Sequence, residues 1–184
     1  MSELPFILFG QQHLFALVLS ALTIIYFPLY AKKKLSKDSQ QVIANTLAVF
    51  LIVHELSRPF YRPYFFGDEL ILSFPLHACH LSAFSIAVYL LVRKKVFFEV
   101  AYYWGLGGGT MALLTPDITR AFPDIEWFPF FIGHGAMIMA IFFSMFCHNT
   151  YPSKHSLRRV VLITMSSLPL IYICLLYTSD AADE

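Results

Sequence analysis

The chain has 184 residues, 58% of them hydrophobic and only 14% charged, with 13 Lys and Arg against 12 Asp and Glu for a net charge of +1. A soluble domain carries about 25% charged residues, so this composition excludes a packed aqueous domain and points to a polytopic membrane protein, an all-α transmembrane bundle. No basic cluster is interleaved with stacking aromatics, which argues against a nucleic-acid partner. The three cysteines, Cys79, Cys147 and Cys174, form neither a C-x-x-C pair nor an even set, which argues against a disulfide framework.

A helix needs about 20 mostly apolar residues to cross the hydrocarbon core. The first such stretch is Gln11–Tyr30; what precedes it has no basic leader and no small-residue cleavage site, so it reads as a span rather than a signal peptide. Gln41–Pro59, Leu72–Val92, Val96–Leu114, Trp127–Cys147 and Leu157–Tyr177 follow, joined by short connections, giving six spans in one domain over residues 1–173. Residues 174–184, "CLLYTSDAADE", resemble the translation of a transposase adaptor used in making sequencing libraries, and are expected to be a foreign tail.

Alternate loops differ in basic charge. Lys32, Lys33, Lys34 and Lys37, then Arg93, Lys94 and Lys95, then Lys154, Arg158 and Arg159 account for ten of the thirteen Lys and Arg. The intervening loops hold Arg58, Arg62 and Arg120 among Asp68, Glu69, Asp117, Asp124 and Glu126. The positive-inside rule then sets the basic loops in the cytoplasm and the N-terminus outside the cell membrane.

With that orientation, ionisable side chains can be ordered by depth. His13 falls near the outer end of the first span, and His54 and Glu55 toward the outer end of the second. His77, Cys79 and His80 fall about two turns into the third. Thr115 and Asp117 close the fourth, and His134 stands about two turns into the fifth. Glu99, near the inner end of the fourth, is the exception. Charge inside a bilayer is costly and marks function by default, so the shared depth reads as one polar site in the outer half. Interhelical hydrogen bonding among packing polars is the competing explanation.

Within "FPLHACHLSAF", about 100° per residue places His77 and His80 on one face with Ser73, and turns Cys79 about 100° away. Two chemistries fit. Zinc held by His77, His80 and His134 would keep an open position for water. Alternatively Cys79 is a nucleophile with His134 or His80 as base, since a thiolate needs such a partner; as a small buried hydrophobe it would do neither. The glycines of "YYWGLGGGTMALLTPD" lack the spacing of a phosphate loop. Gly105 and Gly109 instead form a small-xxx-small pair for close helix approach, and Gly133 and Gly135 do the same around His134 while leaving room for a ligand. Asp117, in the Thr115-Pro116-Asp117 turn, either orients a histidine or bonds its own turn.

"FPLHACHLSAF", "FEVAYYWGLGGGTMALLTPDITRAFPDIEWFPFF" and "FIGHGAMIMA" together resemble the YwaF-like family of conserved bacterial integral membrane proteins, which is grouped with a eukaryotic transmembrane acyltransferase acting on ether phospholipids. The resemblance is strong from Phe74 to Ala140 and loose over the first two spans. It implies a catalytic cysteine and histidine at Cys79 and His134, with His77 and Asp117 in the same pattern and His80 outside it. The expected function is therefore a lipid-directed acyltransferase or hydrolase with membrane lipids as partners and no cofactor. Cys79, His134, His77 and Asp117 carry the chemistry, supported by His13, Glu55, His80 and Thr115. A zinc hydrolase and a non-enzymatic transporter or ligand binder are the alternatives, and the oligomeric state is left open.

Overall fold

The computed structural model describes residues 5–70, 73–75 and 77–180, with side chains described as far as residue 168. It is all-helical. α1 (Gln11–Lys34) and α2 (Lys37–Phe66) are followed by α3 (Ala78–Val92), then by α4 (Lys95–Val100) and α5 (Leu106–Leu114), and finally by α6 (Trp127–Cys147) and α7 (Ser156–Asp180). A π-helical turn, Ala101–Gly105, joins α4 to α5, so Lys95 to Leu114 forms one unbroken rod. The extended backbone among the described residues is a lone bridge between Pro5 and Arg120.

Among the described residues three helices, α1, α2 and α6, are long and apolar enough to cross a membrane, and α3 is a shorter apolar helix. A belt of exposed large apolar side chains runs along them, including Phe15, Leu22 and Tyr26 on α1 and Val42, Val49 and Val53 on α2. Water would not tolerate such a surface, whereas lipid does.

Two boundaries differ from the sequence expectation. α2 does not stop at Pro59: it carries Pro59 and Pro63 inside and ends at Gly67, whose φ of 70° is the left-handed cap that glycine adopts freely. Each proline removes one backbone donor, but the surrounding helical bonds carry the chain through. As a result Arg58 and Arg62, read from the sequence as loop residues, ride on the helix. α3 in turn begins at Ala78, with His77 as its extended N-cap. His77, Cys79 and His80 therefore stand at the mouth of α3 rather than two turns inside it. The foreign-tail assignment reaches residues 181–184, which lie outside the described residues, while 174–180 continue the backbone of α7.

α6 is the centre of the bundle, packed against α1, α2, α3 and α5. Small residues permit this approach. A Cβ on Gly105 would come within 2.9 Å of Ile141 Cδ1, and one on Gly109 within 2.6 Å of Met137 Cε. The Gly105 and Gly109 pair thus seats the α4–α5 rod against α6.

The two ends of the bundle differ. At one end Lys37 Nζ donates to Cys147 O at 3.3 Å, and Arg93 Nη2 donates to Gln41 Oε1 at 2.7 Å. There too the fully buried Glu99 accepts from Ser156 Oγ at 2.6 Å and Arg159 Nη1 at 2.7 Å, which ties α7 to α4 and accounts for the acid that broke the depth pattern. This end gathers Lys32, Lys33, Lys34, Arg93, Lys94 and Lys95. The opposite end holds the C-terminal half of α2, the starts of α3 and α6, and the α5–α6 connection.

His148, in the connection after α6, is held by burial, then by the Arg93 and Lys37 charges, down at a pKa of about 4 from an ordinary 6.5. The neutral ring accepts from Arg93, whose Nη1 lies 2.7 Å from Nε2. The unfolded chain therefore binds a proton that the folded one refuses, so this contribution to stability is present above about pH 6.5 and is lost as pH falls toward 4. Thermal unfolding in detergent from pH 7.5 to 4.5 is expected to show falling stability, with a shallower fall in His148→Gln.

Candidate functional site

The non-basic end of the bundle contains a buried carboxylate between two histidines. Glu55, on α2, is 5% exposed. Its Oε1 lies 3.3 Å from His54 Nδ1, and its Oε2 lies 2.7 Å from His80 Nδ1 on α3. The second contact is within ion-pair distance but is not an aligned hydrogen bond, so Oε2 is left without a hydrogen-bond donor among the described residues. His54 Nε2 donates to the carbonyl of Pro129, 3.0 Å away at the start of α6. A carbonyl can only accept, so His54 Nε2 carries a proton, and the ring links Glu55 to the start of α6.

His134 Nδ1 lies 2.8 Å from the carbonyl of Phe130, one turn earlier on α6. A carbonyl can only accept, so Nδ1 carries the proton and Nε2 is left as the basic nitrogen. The Phe130 ring packs at 4.6 Å between centroids and fixes the imidazole plane. Cys79 is a free, half-buried thiol whose Sγ would lie 3.0 Å from a Cβ added to Gly108, so the bare backbone there makes room for the sulfur.

Two neighbouring spaces share these walls. An inner pocket of about 10 Å³, room for roughly one water, lies among His54, Glu55, Gly133 and Met137. An outer vestibule of about 340 Å³ reaches Tyr61, Arg62, Phe66, His77, Asp117 and Glu126. Arg58, Cys79, His80, Pro129, Phe130 and His134 line both.

Of the residues expected from sequence, Cys79, His80, His134 and Glu55 are brought together, with His77 and Asp117 at the exposed mouth. His77 and His80 remain neighbours, with ring centroids 5.7 Å apart. His13 lies elsewhere. Wholly buried, it accepts from Phe9 N at 3.0 Å through Nδ1 and donates to Leu113 O at 2.8 Å through Nε2, locking the chain before α1 onto the end of α5. Thr115 is exposed and donates to Met111 O within its own helix at 2.9 Å. Among the described residues no three His, Cys, Asp or Glu side chains are grouped to hold a metal ion, so His77, His80 and His134 do not form the triad that a zinc site requires. The space beside Gly133 is filled by His54 rather than left for a ligand, whereas Gly135 faces Ser20 at an ordinary 3.7 Å.

Arg58, Tyr61 and Arg62 complete the walls, although the sequence gave them no role in the site, while His54, ordered at the same depth as Glu55, lines the inner pocket. The signal was present in their spacing, since Glu55, Arg58 and Arg62 follow one another at i, i+3 and i+7 and so share a helix face. It was obscured by ending the helix at Pro59.

Fold and cavity define a membrane-type helical protein with a polar chamber at one end of an apolar bundle. The chain belongs to the TMEM164 family, which it matches over residues 8–179. It is also similar to an uncharacterized protein of Treponema pallidum (strain Nichols), 28% identical over 165 residues that cover 85% of this chain and 65% of the relative. The chain thus spans less than two thirds of that relative's length. No solved structure matches it.

A Cβ on Gly133 would stand 2.4 Å from Cε1 of His54, a ring held at both nitrogens, whereas one on Gly107 meets nothing within 4 Å. Gly133→Ala is expected to cost about 1–3 kcal/mol by forcing the ring off its partners. Gly107→Ala should be neutral or stabilising by up to about 1 kcal/mol. Unfolding of the two variants in the same detergent compares them directly.

Proposed function

We propose that this chain is a lipid-directed acyltransferase or lipid hydrolase, with Cys79 as nucleophile and His134 as general base. What supports this reading is that the thiol and a histidine whose Nδ1 is pinned by Phe130 line one cavity. Cys79 would attack the carbonyl carbon of an acyl ester while His134 Nε2 takes the thiol proton. The ester C–O bond breaks, His134 returns the proton to the departing alkoxide, and an acyl thioester remains on Cys79. A second alcohol gives transfer and water gives hydrolysis, each delivering its proton to His134 and releasing the thiol. Glu55 holds His80 against the same space, and His77 and Asp117 at the mouth position the incoming lipid.

In this reading the chain crosses the membrane six times with its N-terminus outside, and the vestibule takes lipid laterally from the outer leaflet. The supporting pattern is the basic residues gathered at the end of the bundle opposite the chamber. An impermeant maleimide applied to intact cells should then label Glu69→Cys but not Lys33→Cys above the native cysteines.

In lipid nanodiscs supplied with an acyl-labelled phospholipid and a lysophospholipid, Cys79→Ala is expected to abolish acyl movement. His134→Gln should slow it about 10²–10⁴-fold, with both variants unfolding near the parent temperature. Undiminished acyl movement in Cys79→Ala ends the nucleophile reading.

A further inference from the structure

Several charged groups in this bundle are paired. Arg62 Nε meets Asp68 Oδ2 at 2.5 Å, Arg159 meets Glu99, Arg93 meets Gln41, and Arg120 lies 3.6 Å from Asp124. Arg58 departs from this pattern. Its Nε is buried with no hydrogen-bond partner, and its guanidinium enters no hydrogen bond or ion pair among the described residues. Three residues separate it from Glu55, but that carboxylate is already flanked by His54 and His80. Asp68 is taken by Arg62. Glu126 and Asp117 border the vestibule, and Glu126 Oε2 receives the Thr119 amide at 3.4 Å.

Arginine cannot shed its proton to escape burial. Arg58 is half-buried with its Nε enclosed. A guanidinium so placed without a counter-ion is costly, and its planar fork of donors fits phosphate or carboxylate oxygens in pairs. Arg58 also occupies the decisive position. It lines both the inner pocket and the vestibule, alongside Cys79, His80 and His134.

We infer that Arg58 is the residue that takes an oxyanion of the ligand, a phosphate or carboxylate group, and holds it beside the Cys79 thiol. This rests on reading the cavity as a lipid site and names the contact by which that site selects anionic over neutral lipids. Arg58 is then a specificity residue: it draws the negative group to the junction of the two spaces and so fixes how far the acyl chain reaches past the thiol.

The test is binding rather than turnover, performed on the full chain carrying Cys79→Ala, so that no bond is made and the outcome is independent of whether Cys79 is a nucleophile. Labelled 1-oleoyl lysophosphatidic acid and 1-oleoylglycerol, which share a chain and differ in the phosphate, are titrated onto the detergent-solubilised protein. The phosphate-bearing lipid is expected to bind at least tenfold more tightly. Arg58→Gln should remove that preference while leaving 1-oleoylglycerol affinity unchanged, and Arg58→Lys, which keeps the charge without the fork, should retain part of it.

Inorganic phosphate at millimolar concentration identifies the source of the oxyanion. Competition against the lysolipid that disappears in Arg58→Gln supports a site for free phosphate as well, and absence of competition beside an intact lipid preference supports a headgroup site. Equal affinity for the two lipids without any change at Arg58 overturns the inference even if Arg58→Gln fails to fold. So does a preference that survives in Arg58→Gln, or an equal loss of both affinities.

Discussion

A carboxylate inside a membrane-type bundle must be compensated, and the way Glu55 is compensated determines how the chamber is built. One residue on α2 holds His80 of α3 through one oxygen and its neighbour His54 through the other, while His54 reaches the first turn of α6 at Pro129 O. Three helices are therefore tied at one depth by a chain of alternating charge and hydrogen bond. Removing any member would leave a buried charge or an unmatched acceptor, which costs more than the net value of the contact itself.

That tie works only because backbones approach closely around it. Gly133 has no side chain where the His54 ring lies, Gly108 has none where the Cys79 sulfur lies, and Gly105 and Gly109 admit the α6 side chains Ile141 and Met137. Polar chemistry and small-residue packing are thus two aspects of one arrangement. The chamber occupies one end, while the other is closed by the Glu99–Arg159 and Arg93–Gln41 contacts. The chamber and the bulk of the basic charge are kept apart along the bundle axis.

Apolar length made the helices legible in the sequence, and for Trp127–Cys147 the helix has the expected bounds, its proline, Pro129, falling in the first turn where the missing N–H breaks no helical bond. The gathering of Glu55, Cys79, His80 and His134 was legible through depth, since residues at one level of packed helices meet where their faces turn toward one another. Prolines caused the misreadings. Pro59 and Pro63 did not end α2, which hid Arg58 and Arg62, and the late start of α3 moved His77 off the regular helix, where a 100° spacing no longer applies. Depth was also insufficient for His13, because a buried histidine with both nitrogens matched to backbone groups is a structural clasp. Only the identity of each nitrogen's partner distinguishes a clasp from a base.

Those partners make definite proton assignments, and these can be read directly. Solid-state ¹⁵N spectra of the histidine-labelled protein in lipid bilayers, assigned with His54→Gln and His134→Gln, report which ring nitrogens carry protons at neutral pH. The expected result is His54 protonated at Nε2, against Pro129 O, and His134 protonated at Nδ1 with Nε2 bare. A His54 bare at Nε2, or a His134 protonated at Nε2, would contradict the arrangement on which the chamber depends.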